Sequence, residues 1–135
     1  MSLRLMLSAV VVCLCLAPIV SAQDAVKVDP THYSVISENA KVRILKAHYG
    51  PHEKSVMHSH PDAVAVFLND FTGKFTFPDG KTQDLTSKAG DVQFTPATIH
   101  LPENTGDKGM DVIVIELKGK PAAAAKAKAP KADKN

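Results

Sequence analysis

From Asp24 to Leu117 no stretch of the chain sustains apolar residues at helical spacing. Short β-favouring runs cut by turn formers take their place. "AKVRILKAHY" (40–49) and "SVMHSH" (55–60) are separated by Gly50-Pro51, and "AVAVFL" (63–68) leads into Asn69-Asp70. "KFTFPDGKTQDL" (74–85) reads as a hairpin, because Pro78-Asp79-Gly80 is strong turn chemistry. "DVQF" (91–94) follows Gly90, and "MDVIVIEL" (110–117) closes the series, apolar on both alternations from Val112 to Ile115. Seven or so short strands at close spacing predict an all-β domain, a sandwich or a barrel. Gly73 and Gly90 are expected at turns that need positive φ. With five Phe, two Tyr and no Trp, the core must rest on Val, Ile, Leu and Phe. Met57, Phe67, Phe75, Phe77 and Phe94 are expected in that core or along a pocket.

The two ends differ from this body. "MSLRLMLSAVVVCLCLAPIVSAQD" has one basic residue, Arg4, then an apolar run from Leu5 to about Leu16, Pro18, and Val20-Ser21-Ala22. That is the pattern of a signal peptide cleaved after Ala22. The apolar run is too short to span the ~30 Å of a bilayer core comfortably. Cys13 and Cys15, the only cysteines, fall inside it, so the mature chain is expected to lack thiolate ligands, disulfides and cysteine nucleophiles. Residues 118–135, "KGKPAAAAKAKAPKADKN", are Lys/Ala/Pro-rich and are expected to be a disordered tail. Between the ends, residues 23–117 carry nine Lys/Arg against thirteen Asp/Glu. The body is mildly acidic and only the tail is basic, which excludes a nucleic-acid reading of the overall charge.

The residues that carry chemistry are histidines. His58 and His60 share parity in a predicted strand, so both side chains face one way, ~6–7 Å apart along it. A third ligand from a facing strand would complete a metal set, and His100, ten residues after Gly90, is the candidate. His32 and His48 read as packing or surface residues.

These spacings resemble the two motifs of the cupins. The first motif runs Gly, several residues, His-X-His, a short gap, Glu, then Gly; Gly50, His58 and His60 match it. The second runs Gly, Pro, His, Asn; Gly90-Asp91, Pro96, His100 and Asn104 match it, with Thr98 where a glycine is usual. The resemblance covers roughly residues 38 to 117, and is narrower still to small cupins named after β-alanine degradation. It implies a cupin β-barrel, a double-stranded β-helix of jelly-roll type, over residues 23–117. It also implies a divalent metal (Fe, Zn, Mn, Cu or Ni) at the barrel mouth and a structural turn at Asn104.

The departure from the motif is its glutamate, whose slot falls on Val64 or Ala65. Asp62, Glu103, Gln93 and His52 are the nearby candidates to replace it. Three readings stay open: a three-histidine site for a dioxygenase-type ion, a zinc or copper site with three imidazoles and water, or a metal-free pocket. Two functions follow. One is a metal-dependent, dioxygenase-like enzyme on a small organic anion, with His58, His60 and His100 holding the metal and Val64 and Val66 packing the substrate. The other is a non-catalytic module that takes up a small molecule or metal. A small-molecule partner, no nucleic acid, no membrane span after cleavage, and room for a homodimer belong to both.

With such a leader the protein is expected in the periplasm or outside the cell. N-terminal sequencing of exported material should read from Gln23; an intact Met1 there contradicts the assignment.

Overall fold

The computed structural model describes residues 23–119. The expected leader, 1–22, and the expected tail beyond Gly119 lie outside them. A four-residue helical turn, α1 (Ala25–Val28), opens the described chain, with Asp24 accepting from the Lys27 amide as its cap. No helix was expected, and four residues are too few to leave a periodic signal.

Nine strands follow: β1 (Tyr33–Glu38), β2 (Val42–Tyr49), β3 (His58–His60), β4 (Ala63–Phe67), β5 (Phe71–Thr76), β6 (Thr82–Ser87), β7 (Val92–Thr95), β8 (Thr98–Asn104) and β9 (Met110–Leu117). They form two antiparallel sheets, ordered β1-β2-β9-β4-β7 and β3-β8-β5-β6. The predicted hairpin is β5–β6, with Gly80 at φ 81° in its turn. β1 escapes the sequence reading because its apolar residues Val35 and Ile36 are exposed and a register shift interrupts its pairing.

Alternation fixes which side chains face inward. On β2 these are Arg43, Leu45, Ala47 and Tyr49, and the paired register sets Glu116, Val114, Val112 and Met110 of β9 beside them. On β4, Ala63 and Ala65 stand next to Glu116 and Val114. The inner layer is therefore apolar along its length and charged at one end, where Arg43, Glu116 and Ala63 lie in one row. β9 is central in its sheet, paired with β2 and β4 on its two edges. Its continuous apolar run implies that both faces are covered, and the outward-facing Ile113 and Ile115 are half-buried.

Gly90 has the positive φ expected of it, 89°, but Gly73 does not. Gly73 is required for space: a Cβ there would lie 2.0 Å from the Phe71 ring and 2.6 Å from the Glu103 carbonyl oxygen. Asn104 ties the loops after β8, donating to the carbonyls of Gly50 and Lys108 at 2.8 Å each and accepting from Gly106. Its structural role is as expected. Backbone pairing continues one residue past the expected domain end, with the Lys118 amide on the Lys41 carbonyl.

Candidate metal centre

β3 presents His58 and His60 on its inner side, and antiparallel pairing sets His58 directly across from His100 on β8. All three imidazoles are buried. Their ring planes stand nearly perpendicular to one another, at 90°, 83° and 84°, with centroids 4.9 to 5.5 Å apart. One nitrogen from each ring lies within 4.8 Å of the other two. The three predicted site residues are thus brought together.

The hydrogen bonds around them decide their tautomers. His58 Nδ1 lies 2.8 Å from the Val56 carbonyl oxygen, which can only accept, so Nδ1 carries the proton. Ser55, itself bound to Asp29, stands 3.3 Å from the same nitrogen. His60 Nδ1 lies 2.7 Å from Oε1 of Glu116 and donates to it. Both Nε2 atoms are left as ligand atoms, and they face each other at 3.1 Å. Two bare lone pairs at that distance repel, so the gap calls for a cation, a proton or a metal ion. Nitrogens bound side by side to one ion at about 2.0–2.1 Å lie roughly 3 Å apart. His100 supplies the remaining observation, because both its ring nitrogens are buried without a hydrogen-bond partner. Such orphans are rare and call for an explanation, of which an absent ion is one. The donor set fits a divalent metal.

Glu116 is the residue that sequence reasoning missed. It is 2% exposed and shared between His60 and Arg43, whose Nε donates to Oε2 at 2.6 Å. Burial alone would raise its carboxyl; the hydrogen bonds from His60 and Arg43, with their charges, outweigh it and hold the group below its ordinary value. Arg43 also pairs with Asp24, and the adjacent Gln23 carbonyl accepts from the Ser59 amide at 2.7 Å. The start of the described chain is therefore stitched to the strand that carries the histidines. The signal was available: an acid directly after the apolar run "VIVI" and an arginine in "VRIL" each need a partner if buried.

Glu116 does not refill the motif's empty position. It approaches His60 on Nδ1, away from the facing Nε2 atoms. Ala65 faces inward with no donor, and Val64 and Val66 point the other way, so the expected substrate contact through those valines is replaced by Ala65. The other acids and donors are elsewhere. Asp62 accepts from the Ala97 amide, Glu103 pairs with Lys54 and Lys74, and exposed His52 pairs with Asp107. Gln93 does face inward, but its amide nitrogen is committed to Ser87. His32 stacks on Tyr49 and bonds Asp29, and His48 is a surface partner of Asp111, both as expected.

Beside the histidines, between the two sheets, lies a cavity of about 420 Å³. Its wall includes His60, His100, Ala65 and Val114, and Phe75 packs on His100 with centroids 4.2 Å apart. Phe67 belongs to the core and also borders this space, whereas Phe75, Phe77 and Phe94 are wall rather than core; Met57 is neither. Tyr49 donates to Tyr33 at 2.9 Å, and burial pushes both phenols up, so both stay protonated.

Comparison with solved structures identifies the architecture. A cupin domain from Bordetella pertussis Tohama I superposes with a TM-score of 0.60 at 21% identity, covering 64% of this chain and 92% of that one. A double-stranded β-helix protein from Klebsiella pneumoniae gives 0.53 at 20% identity, covering 67% and 78%. A cupin with the same fold from Methanocaldococcus jannaschii gives 0.52 at 14% identity, covering 63% and 77%. No family model matches the chain, and no curated protein does either. The fold is the cupin double-stranded β-helix, as the motif resemblance implied.

In the metal-free protein, burial first and then the neighbouring imidazoles hold His58 at about 4 and His100 at about 3. The unfolded chain protonates such rings near pH ~6.5. Their contribution to stability is complete above that pH and is lost as pH falls toward 4 and 3, because only the unfolded chain takes up the protons. Urea denaturation of metal-free protein should show stability falling as pH drops below about 6.5. His100→Leu should flatten the fall; an unchanged slope contradicts the burial account.

Proposed function

We propose that this cupin-fold chain binds one divalent ion through Nε2 of His58, Nε2 of His60 and a ring nitrogen of His100, and presents it to a small organic ligand in the adjoining cavity. The observation that carries this reading is the pair of Nε2 atoms facing at 3.1 Å with both Nδ1 atoms already committed. The orphaned nitrogens of His100 beside them support it. Iron, zinc, manganese, copper and nickel all accept imidazole ligands. When bound, such an ion supplies Lewis-acid polarisation of a donor atom or, if redox-active, dioxygenase-type chemistry on the ligand.

The chain's own residues orient and insulate the site. Glu116 and the Val56 carbonyl lock the tautomers of the two β3 histidines, a form of support that metal-ligating histidines commonly have. The sheets keep the cavity floor away from water. Among the described residues the cavity wall holds no Asp, Glu, Lys or Arg, and its two tyrosines stay protonated. No carboxylate, amine or phenolate is therefore aimed at a ligand as a base, so activation of a ligand or water would rest on the ion. That same observation favours the second reading, a non-catalytic module that holds a small molecule through the metal. In both readings the leader-like residues 1–22 support action in the periplasm or outside the cell.

Competition against a chromophoric chelator tests the ligand set. The triple His58→Ala, His60→Ala, His100→Ala variant should lose the ion, and Glu116→Gln, which keeps the shape but not the charge, should bind it roughly 10–100-fold more weakly. Parent-like affinity in the triple variant contradicts the site, and parent-like affinity in Glu116→Gln contradicts the role of the carboxylate.

A further inference from the structure

The aromatic residues of the chain are concentrated around one space. The chain has five Phe, two Tyr and no Trp. All five phenylalanines (Phe67, Phe71, Phe75, Phe77 and Phe94) and both tyrosines border the cavity beside the histidines. The barrel has spent every aromatic side chain it owns on one space of about 420 Å³. That volume lies within the roughly 300–1,000 Å³ of small-molecule sites.

The charges are as one-sided as the rings. Among the described residues, no Asp, Glu, Lys or Arg borders the cavity. The nearest ion pair, Glu116 with Arg43, is closed on itself and on His60 and Asp24. The polar groups in the wall are neutral: the amides of Gln83 and Gln93, the hydroxyls of Thr95 and Thr98, and the two phenols. Three neutral imidazoles leave a divalent ion with its full +2 charge, so the only strong positive field in this space lies at its histidine end. An anionic atom is stabilised there and nowhere else in the cavity. A second charge carried into the aromatic part would be buried without a partner, at a cost of several kcal/mol. Phe94, 62% exposed, extends the apolar wall to the rim. An apolar body is therefore in favourable contact from entry onward.

From this we infer that the ligand is a mainly apolar monoanion, a carboxylate or phenolate with one charged end at the metal and a hydrocarbon body against the phenylalanines. Dicarboxylates, phosphates, sugars and amino acids do not fit that pattern of charge. The inference rests on the three-histidine metal reading.

The test uses the mature protein loaded with cobalt(II), whose visible spectrum reports the ion and any change in its coordination. Benzoate, 4-methylbenzoate and 4-ethylbenzoate are titrated in turn, with acetate and terephthalate as comparisons. Burial of each added carbon should tighten binding about 3- to 4-fold along the benzoate series. Acetate, which has the charged end but no body, should bind more weakly than benzoate. Terephthalate, with a second carboxylate at the far end, should bind at least about 100-fold more weakly than 4-ethylbenzoate. A flat benzoate series, acetate as tight as benzoate, or terephthalate as tight as 4-ethylbenzoate overturns the inference while leaving the metal centre intact. A protein that develops no cobalt spectrum overturns both, and that failure is seen before any ligand is added.

Discussion

Glu116 lies between an imidazole and a guanidinium, and the order of those contacts decides what His60 can do. The hydrogen bonds from His60 and Arg43, with the guanidinium charge, outweigh burial and keep the carboxylate ionised. An ionised carboxylate only accepts, so the proton of His60 stays on Nδ1. Nε2 is then turned toward His58, whose own proton is held by the Val56 carbonyl. Reverse either tautomer and the facing pair at 3.1 Å becomes an ordinary hydrogen bond with no place for an ion. Removing Arg43 would leave the buried Glu116 carboxylate without its cationic partner, hydrogen-bonded only to His60, a loss of about 3–5 kcal/mol for a pair broken on one side. The metal reading therefore depends on a salt bridge that touches no metal.

That salt bridge depends in turn on register. Arg43 and Glu116 are direct partners across β2 and β9, and Ala63 is the partner of Glu116 on the other side. A shift of one residue in either pairing would turn the charged row outward and the apolar rows with it. Ala63 and Ala65 matter through what they lack: small side chains on β4 leave room for the Glu116 carboxylate and for the cavity beside His60. Where the cupin motif would have a glutamate on this strand, the chain has Ala65, and Glu116 on the next strand supplies a carboxylate to Nδ1 of His60 instead.

Much of this was legible in sequence. Strand β9 was read to the residue, and the hairpin at Pro78-Asp79-Gly80 and the convergence of His58, His60 and His100 follow from turn chemistry, parity and spacing. β1 was not legible because it is an exposed, bulged edge, where hydrophobic alternation does not apply. Glu116 was not legible as a histidine partner because it is remote from His60 in sequence. Its partner stands 56 residues away, and only register brings them together. The aromatic cavity was hidden for a similar reason: phenylalanines on β4, β5 and β7 read individually as core, and become a wall only when the two sheets face each other.

The central claim is that three buried imidazoles with their proton positions fixed form a site for one ion. Elemental analysis of the protein, purified without a histidine tag and dialysed against metal-free buffer after loading with a divalent ion, addresses it directly. The account predicts about one equivalent of ion per chain, retained through dialysis, as a buried three-imidazole site should hold it. Protein that emerges folded and free of metal would contradict it, and would mean that the gap between His58 and His60 is filled by a proton alone.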